Sequence, residues 1–188
     1  GIRADSAIRT YIQEADALLA AMGFTEHGFA HAGKVAHTAE YILRTLGYDA
    51  RTAELAQIAA WLHDIGNIVN RADHAQSGAM MAFRILDNFG GDPAEIARII
   101  AAIGNHDEGT AELISAIAAA VILADKTDVR HTRVREQDAV KFDIHDRVNY
   151  AVRESRVFID EGKESITLEM TIDTQYCSVM DYFEIFLN

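Results

Sequence analysis

The chain has 188 residues, 49% of them hydrophobic, enough for one substantial core or a core with a small appendage. Its formal net charge of −12 argues against sequence-independent binding of a nucleic-acid polymer, which needs clustered positive charge. No apolar run reaches the roughly 18–20 residues of a membrane span, no signal peptide opens the chain, and the single cysteine, Cys177, excludes an internal disulfide; the expectation is a soluble cytoplasmic protein without membrane partners.

One proline, with much Ala, Ile and Leu, predicts a mainly α protein. Apolar residues recur at helical spacing from Asp5 to about Thr127, and the expected helices run over 5–22, 31–46, 51–64, 74–89, 93–104 and 111–127. Gly23, Gly47 and Gly66 fall where C-terminal caps belong, and Asp92-Pro93 reads as an N-cap followed by proline at the first helical position. Residues 128–148 are polar and charged, an ordered loop with a short helix. The period then changes to two: Ile166, Leu168, Met170 and Ile172 alternate with polar residues as a half-buried strand. Its hairpin partner is expected from Tyr150 to Phe158, with the turn at Glu161-Gly162-Lys163. "SVMDYFEIFLN" closes the chain as an amphipathic helix.

Several polar residues lie on the apolar faces of these helices. His31 precedes Val35 by one turn on the stripe Val35, Ala39, Ile42, Leu46 and points inward; His37 is about 240° away and points outward. The helix 51–64 buries Leu55, Ile58, Ala59 and Leu62 and delivers His63-Asp64 at its end. His74 leads the line Gly78, Met81, Ile85, with Gly78 leaving room for close approach. His106 follows the stripe Ile96, Ile99, Ile103, and Asp125 follows Ile114, Ala118, Val121.

Taken singly, such a histidine reads as a hydrogen-bonded core residue and such an aspartate as a helix cap. Taken together, four inward histidines and two inward aspartates would each need a separate partner in one small core. Divalent cations offer a common partner, since neutral imidazole and carboxylate are their usual ligands. Six nitrogen and oxygen ligands without cysteine exceed one tetrahedral zinc site and suit two octahedral ions bridged by one aspartate.

With these residues in order, the sequence resembles the HD-domain superfamily of metal-dependent phosphohydrolases. "HAGKVAHTAEYILRTLG" resembles the first family helix, in which the ligand histidine stands two residues before a basic-Val-Ala triplet, here Lys34-Val35-Ala36. "AAWLHDIGN" resembles the signature itself; "HAQSGAMMAFRIL", "IIAAIGNHDE" and "ILADKTDVR" resemble the segments of the third and fourth histidines and the last aspartate. The match covers roughly residues 25–135. The resemblance implies an HD-type helical bundle with two divalent ions, Mn, Fe or Mg. His31, His63, Asp64 and Asp125 would hold the first ion, and bridging Asp64 with His74 and His106 the second. Asn67 stands where the HD-GYP branch usually has lysine, and Asp107-Glu108-Gly109-Thr110 replaces its Gly-Tyr-Pro motif, which argues against cyclic di-GMP hydrolysis.

The expected activity is hydrolysis of a small phosphorylated substrate, a phosphomonoester or phosphodiester such as a nucleotide. Asp64 and Lys126 are the expected catalytic residues. Lys126, Arg71, Arg130 and Arg133 form a basic rim for substrate, for which a solvated loop is the competing reading. The alternatives are an HD-fold di-iron oxygenase acting on a small polar or phosphonate substrate, and a binding module with a vestigial site. The metal-dependent phosphohydrolase domain is expected over 1–148 and a small α+β appendage over 149–188, which shapes substrate access or self-association and supplies no ligand. The closing helix carries no stop signal at Phe186-Leu187-Asn188, so the expectation is either that it continues in a longer chain or that its aromatic face meets the second subunit of a homodimer.

Overall fold

Each core helix starts and stops on local chemistry that the side chains supply. The computed structural model describes residues 1–107, 112–136, 138 and 141–186. Helix α1 (Ser6–Ala21) opens on Asp5, whose carboxylate accepts the Ile8 amide at 3.0 Å. Helix α2 (Phe29–Leu46) ends at Gly47, where φ is +94° and a Cβ would be strained. Helix α3 (Ala50–Leu62) is capped by Asp49, helix α4 (His74–Asn88) follows left-handed Asp73, and helix α5 (Pro93–Gly104) has the Asp92 cap with proline next. Helix α6 (Ala116–Thr127) is capped by Ser115, whose hydroxyl accepts the Ala118 amide at 3.1 Å.

Helices α2 and α3 form the centre, flanked by α6 and α5, with α4 closing over α5 and the 3-10 turn Ile65–Ile68. Alanine rows let these axes approach closely: Ala32, Ala36 and Ala39 face Ala53, Ala56, Ala59, Ala60 and, from α6, Ala118, Ala120 and Ala124 in one buried cluster. Larger side chains such as Leu43, Leu55, Leu62 and Ile103 fill the remaining space.

Beyond α6, a 3-10 turn at His131–Arg133 leads to helix α7 (Ile144–Ala151), strand β1 (Val152–Ile159), strand β2 (Ile166–Ile172) and helix α8 (Val179–Phe186). The strands pair antiparallel, Val157 opposite Leu168 and Ile159 opposite Ile166, with a bulge between Val152 and Glu154. Val157 and Ile159 pack against the main core, while Leu168, Met170 and Ile172 pack on a second cluster of Val129, Val148, Ala151, Val152, Cys177 and Tyr182. That cluster joins Val129 and Val148 to residues on the far side of position 148. No helix among the described residues is long and apolar enough to cross a membrane.

Helix boundaries differ from the periodic reading: α2 begins at Phe29 and α3 ends at Leu62, each two residues before the expected position. The helix expected over 111–127 begins at Ala116, because the Ser115 side chain ties down its first turn; Ile114 precedes it and is exposed. Tyr150 and Ala151 belong to α7, so the hairpin begins at Val152. The start of that expected helix, most of the Asp107–Thr110 segment, and Leu187 and Asn188 lie outside the described residues. Replacing Ser115 with alanine removes the cap of the helix that carries Asp125 and should cost about 1 kcal/mol of stability, read from a urea unfolding midpoint.

Candidate metal centre

The centre forms where five helix ends converge: the starts of α2 and α4 and the ends of α3, α5 and α6. Helix α3 terminates at Leu62, His63 keeps helical dihedrals, and Asp64 leaves the helix at φ −93°, ψ 0°. This break turns both side chains into the core. Gly66 in the following turn lies flat against α4, and a Cβ on Gly78 would meet the His63 carbonyl at 3.2 Å and the Gly66 amide at 3.3 Å. The room left by Gly78 therefore serves the His63–Gly66 backbone.

The six sequence-predicted ligands come together. His31, His63, His74 and His106 are each 3% exposed or less and Asp64 is 9% exposed, while His37 lies on the solvent side of α2. Every imidazole turns Nε2 to the centre. His31 Nε2 is 3.1 Å from Asp125 Oδ1, 3.5 Å from Asp64 Oδ2 and 3.3 Å from His63 Nε2. His63 Nε2 is 3.2 Å from Asp64 Oδ2 and 3.6 Å from Asp125 Oδ1. On the other side, His74 Nε2 and His106 Nε2 are 3.2 Å apart and lie 3.5 and 3.9 Å from Asp64 Oδ1. Asp64 thus stands between two histidine pairs, one oxygen to each.

The outer nitrogens explain this orientation. His63, His74 and His106 donate Nδ1–H to the carbonyls of Ala60 (2.7 Å), Arg71 (3.1 Å) and Ile103 (2.6 Å), each three residues back. His31 donates Nδ1–H to Asp128 Oδ2 at 2.8 Å. A neutral imidazole protonated on Nδ1 presents a lone pair at Nε2, the form a metal binds.

Two observations test whether this set fits a cation. Asp64 Oδ2 is buried and accepts no hydrogen bond, whereas Oδ1 accepts the Asn67 side-chain amide at 3.0 Å. A buried carboxylate oxygen without a donor is costly unless positive charge faces it. Two Nε2 pairs also face each other at 3.2–3.3 Å, and lone pairs at that distance repel unless a proton or metal lies between them. His31, His63 and Asp125 form one group able to hold an ion, and His63, Asp64 and His106 another.

The electrostatics agree. Burial favours the neutral form of His63, but the carboxylates of Asp64 and Asp125 reverse this and hold its pKa well above the usual imidazole value. Burial raises both carboxyls, yet the neighbouring histidines leave them well below the ordinary range. The site therefore attracts positive charge. His106, desolvated and beside His63, is pushed down to about 4 and stays neutral at physiological pH.

A cleft opens onto this centre, lined by Phe24, His27, Arg71 and Arg133 together with Asp146, Asn149, Ile185 and Phe186. Arg71 reaches Asn67 Oδ1 at 3.3 Å and His74 Nε2 at 3.4 Å. Arg133 is buried, donating to the carbonyls of Glu26 (2.9 Å) and Asp128 (2.8 Å). Arg130 donates to Asp128 Oδ1 at 2.9 Å and pairs with Glu26 Oε2 at 3.1 Å. Lys126 follows Asp125 on α6 but does not line the cleft, and its carbonyl accepts the Tyr182 hydroxyl at 3.2 Å.

Three participants were missing from the sequence-based set. Asp128 backs His31. Asn67, singled out only as a departure from the HD-GYP pattern, holds Asp64. His27 lines the cleft, donates Nδ1–H to the Thr25 carbonyl at 2.7 Å, and is kept neutral by burial and by Arg133. The spacing His27 to His31, one helical turn, was the available signal; position 27 precedes the helix, so no stripe pointed to it.

The HD domain family model matches residues 28–185 of the chain. An uncharacterized protein of Methanocaldococcus jannaschii is 30% identical, the similarity covering 82% of this chain and 67% of that protein. The fold is also similar to the crystal structure of a predicted HD superfamily hydrolase from an uncultured Thermotogales bacterium, with a TM-score of 0.51 and 28% identity over 66% of this chain and 67% of the other.

Proposed function

The chain belongs to the HD domain family, and we propose that it is a metal-dependent phosphohydrolase acting on a small phosphorylated substrate through a dinuclear centre. The observation that carries this reading is the Asp64 carboxylate between four Nε2 atoms, its buried Oδ2 without a hydrogen-bond donor, in a site whose charges call for cations. His31, His63, Asp64 and Asp125 would hold one ion, and Asp64, His74 and His106 the other. When bound there, two such ions would acidify a water and neutralise charge on the phosphoryl oxygens.

The protein's own groups do the rest by binding and orientation, which is most of what phosphoryl transfer requires. Arg71, at the cleft wall beside His74, offers guanidinium donors to phosphate oxygens. His27, neutral with Nδ1 fixed, leaves Nε2 as the acceptor for a proton from water or a substrate hydroxyl. Ile185 and Phe186 of α8, with Asp146 and Asn149 of α7, line the same cleft and would bound the leaving group that fits it. This supports a role for the C-terminal appendage in substrate access.

The test is metal analysis of the purified chain combined with hydrolysis of p-nitrophenyl phosphate and its diester. Two divalent ions per chain and metal-dependent release of p-nitrophenol are expected. Oxygen consumption by an iron-loaded protein that hydrolyses neither ester would favour the oxygenase reading. Arg71→Ala should raise KM about tenfold or more, in keeping with the roughly 1.5–3 kcal/mol of a charged hydrogen bond, with metal content unchanged. An unaltered KM would remove Arg71 from the substrate site.

A further inference from the structure

His31 differs from the other three histidines in what stands behind it. Theirs are backbone carbonyls within their own turns. His31 is backed by the carboxylate of Asp128, 97 residues away, whose side chain is fully buried. That carboxylate is itself held. Arg130 Nε donates to Oδ1 at 2.9 Å and Nη2 to Oδ2 at 3.4 Å, while Lys34 Nζ lies 3.8 Å from Oδ1. The same Arg130 Nη2 pairs with Glu26 Oε2 at 3.1 Å, and Glu26 Oε1 accepts the amides of Gly28 (2.8 Å) and His31 (3.4 Å) at the start of α2. Arg133 closes the arrangement: it donates to the carbonyls of Asp128 and Glu26, and its own carbonyl accepts the Glu26 amide at 2.8 Å.

We infer that Asp128, clamped by Arg130 and Glu26, is the positioning residue of the first metal site, and that Arg130 acts on the metal through Asp128 and His31 instead of on substrate. The inference rests on the dinuclear reading. A buried carboxylate on Nδ1 selects the tautomer with a free Nε2, fixes the ring's rotation and makes Nε2 a stronger donor; losing such a partner typically weakens metal binding about 10–100-fold. Arg130 cannot easily do both tasks. Two of its donor nitrogens are engaged by Asp128 and Glu26, and Nη1 donates to Thr132 at 2.5 Å. The second site has no such strut, so a lesion at Asp128 is felt on one side of Asp64 alone.

The experiment titrates the full chain with Mn²⁺, followed by electron paramagnetic resonance and calorimetry, in wild type, Asp128→Ala, Asp128→Asn and Arg130→Gln. Asp128→Ala is expected to weaken one Mn²⁺ about 10–100-fold and leave the other at wild-type affinity. Asp128→Asn keeps an acceptor for Nδ1–H without the charge and should recover part of the loss. Arg130→Gln should weaken the same ion to a smaller degree, while the Ki of inorganic phosphate, measured at saturating Mn²⁺, stays at the wild-type value. If Asp128→Ala fails to fold by circular dichroism, the other two variants carry the same test. Folded variants that bind both ions as the wild type does would overturn the inference alone, as would an Arg130→Gln protein with normal Mn²⁺ binding and a raised phosphate Ki. A wild type that binds no Mn²⁺ would overturn the dinuclear reading, and the inference with it.

Discussion

Asp64→Ala is expected to lose both metal ions and all hydrolysis in one step. Asp64 is the carboxylate that touches both histidine pairs: Oδ2 lies 3.2 Å from His63 Nε2, and Oδ1 lies 3.5 Å from His74 Nε2. On the dinuclear reading, removing it would take a ligand from each ion and the negative charge that would draw two cations together. Asp125→Ala should be milder, since its contacts run to His31 and His63 only, and should empty chiefly the first site. Asp64→Asn keeps the shape with one neutral oxygen and separates geometry from charge: its metal affinity should fall although the fold persists. Elemental analysis and ester hydrolysis on the three variants decide the matter. A metal-loaded Asp64→Ala protein with full activity would contradict the dinuclear mechanism.

The largest loss of stability is expected from Gly66→Ala. A Cβ at this position would lie 2.0 Å from the His74 carbonyl oxygen, 2.4 Å from the Gly78 amide nitrogen and 2.6 Å from the Ser77 hydroxyl. The first two obstacles are backbone, so no side-chain rotation relieves them; the first turns of α4 must move. Such overpacking costs typically 1–3 kcal/mol and occasionally more, and we expect about 3 kcal/mol here. The displacement would carry His74 away from Asp64, so the second ion should be lost even where the protein still folds. Gly78→Ala is the control, since its nearest contacts are 3.2 and 3.3 Å and the neighbours need give only a few tenths of an ångström. Urea midpoints for the pair should rank Gly66→Ala well below Gly78→Ala; a Gly66→Ala protein as stable as the wild type would show that α4 yields more easily than its packing suggests.

The pattern of residues along the chain was enough to read the helices, because a helix in this core must keep one face apolar, and its caps are written in single residues such as Asp92-Pro93 and Gly47. The same periodicity separated His31 from His37: six residues is most of two turns, and only one of the two can face the core. The alternation in 166–172 likewise marked a strand with one wet side. Where a side chain overrode the period, at Ser115, the boundary moved. These readings are local, since each depends on residues within a turn or two of one another.

What periodicity does not encode is which faces meet. Arg130 and Arg133 read as part of a cationic rim because they follow Asp125 and Lys126 closely in sequence. In the fold, Arg130 and Arg133 turn to Asp128 and to the loop ahead of α2, and Arg135 pairs with Asp16 on α1. The partners ahead of α2 and on α1 come from the opposite end of the chain and became visible only when α2 and α6 packed side by side. Asp128 was overlooked for the same reason, because nothing near position 128 signals a histidine at position 31. The sequence by itself placed four histidines and two aspartates on inward helix faces and so pointed to metal chemistry. Only the tertiary structure decided which charges neutralise one another: desolvation forces every buried ion to find a partner, and that partner is chosen by proximity in space, without regard to distance along the chain.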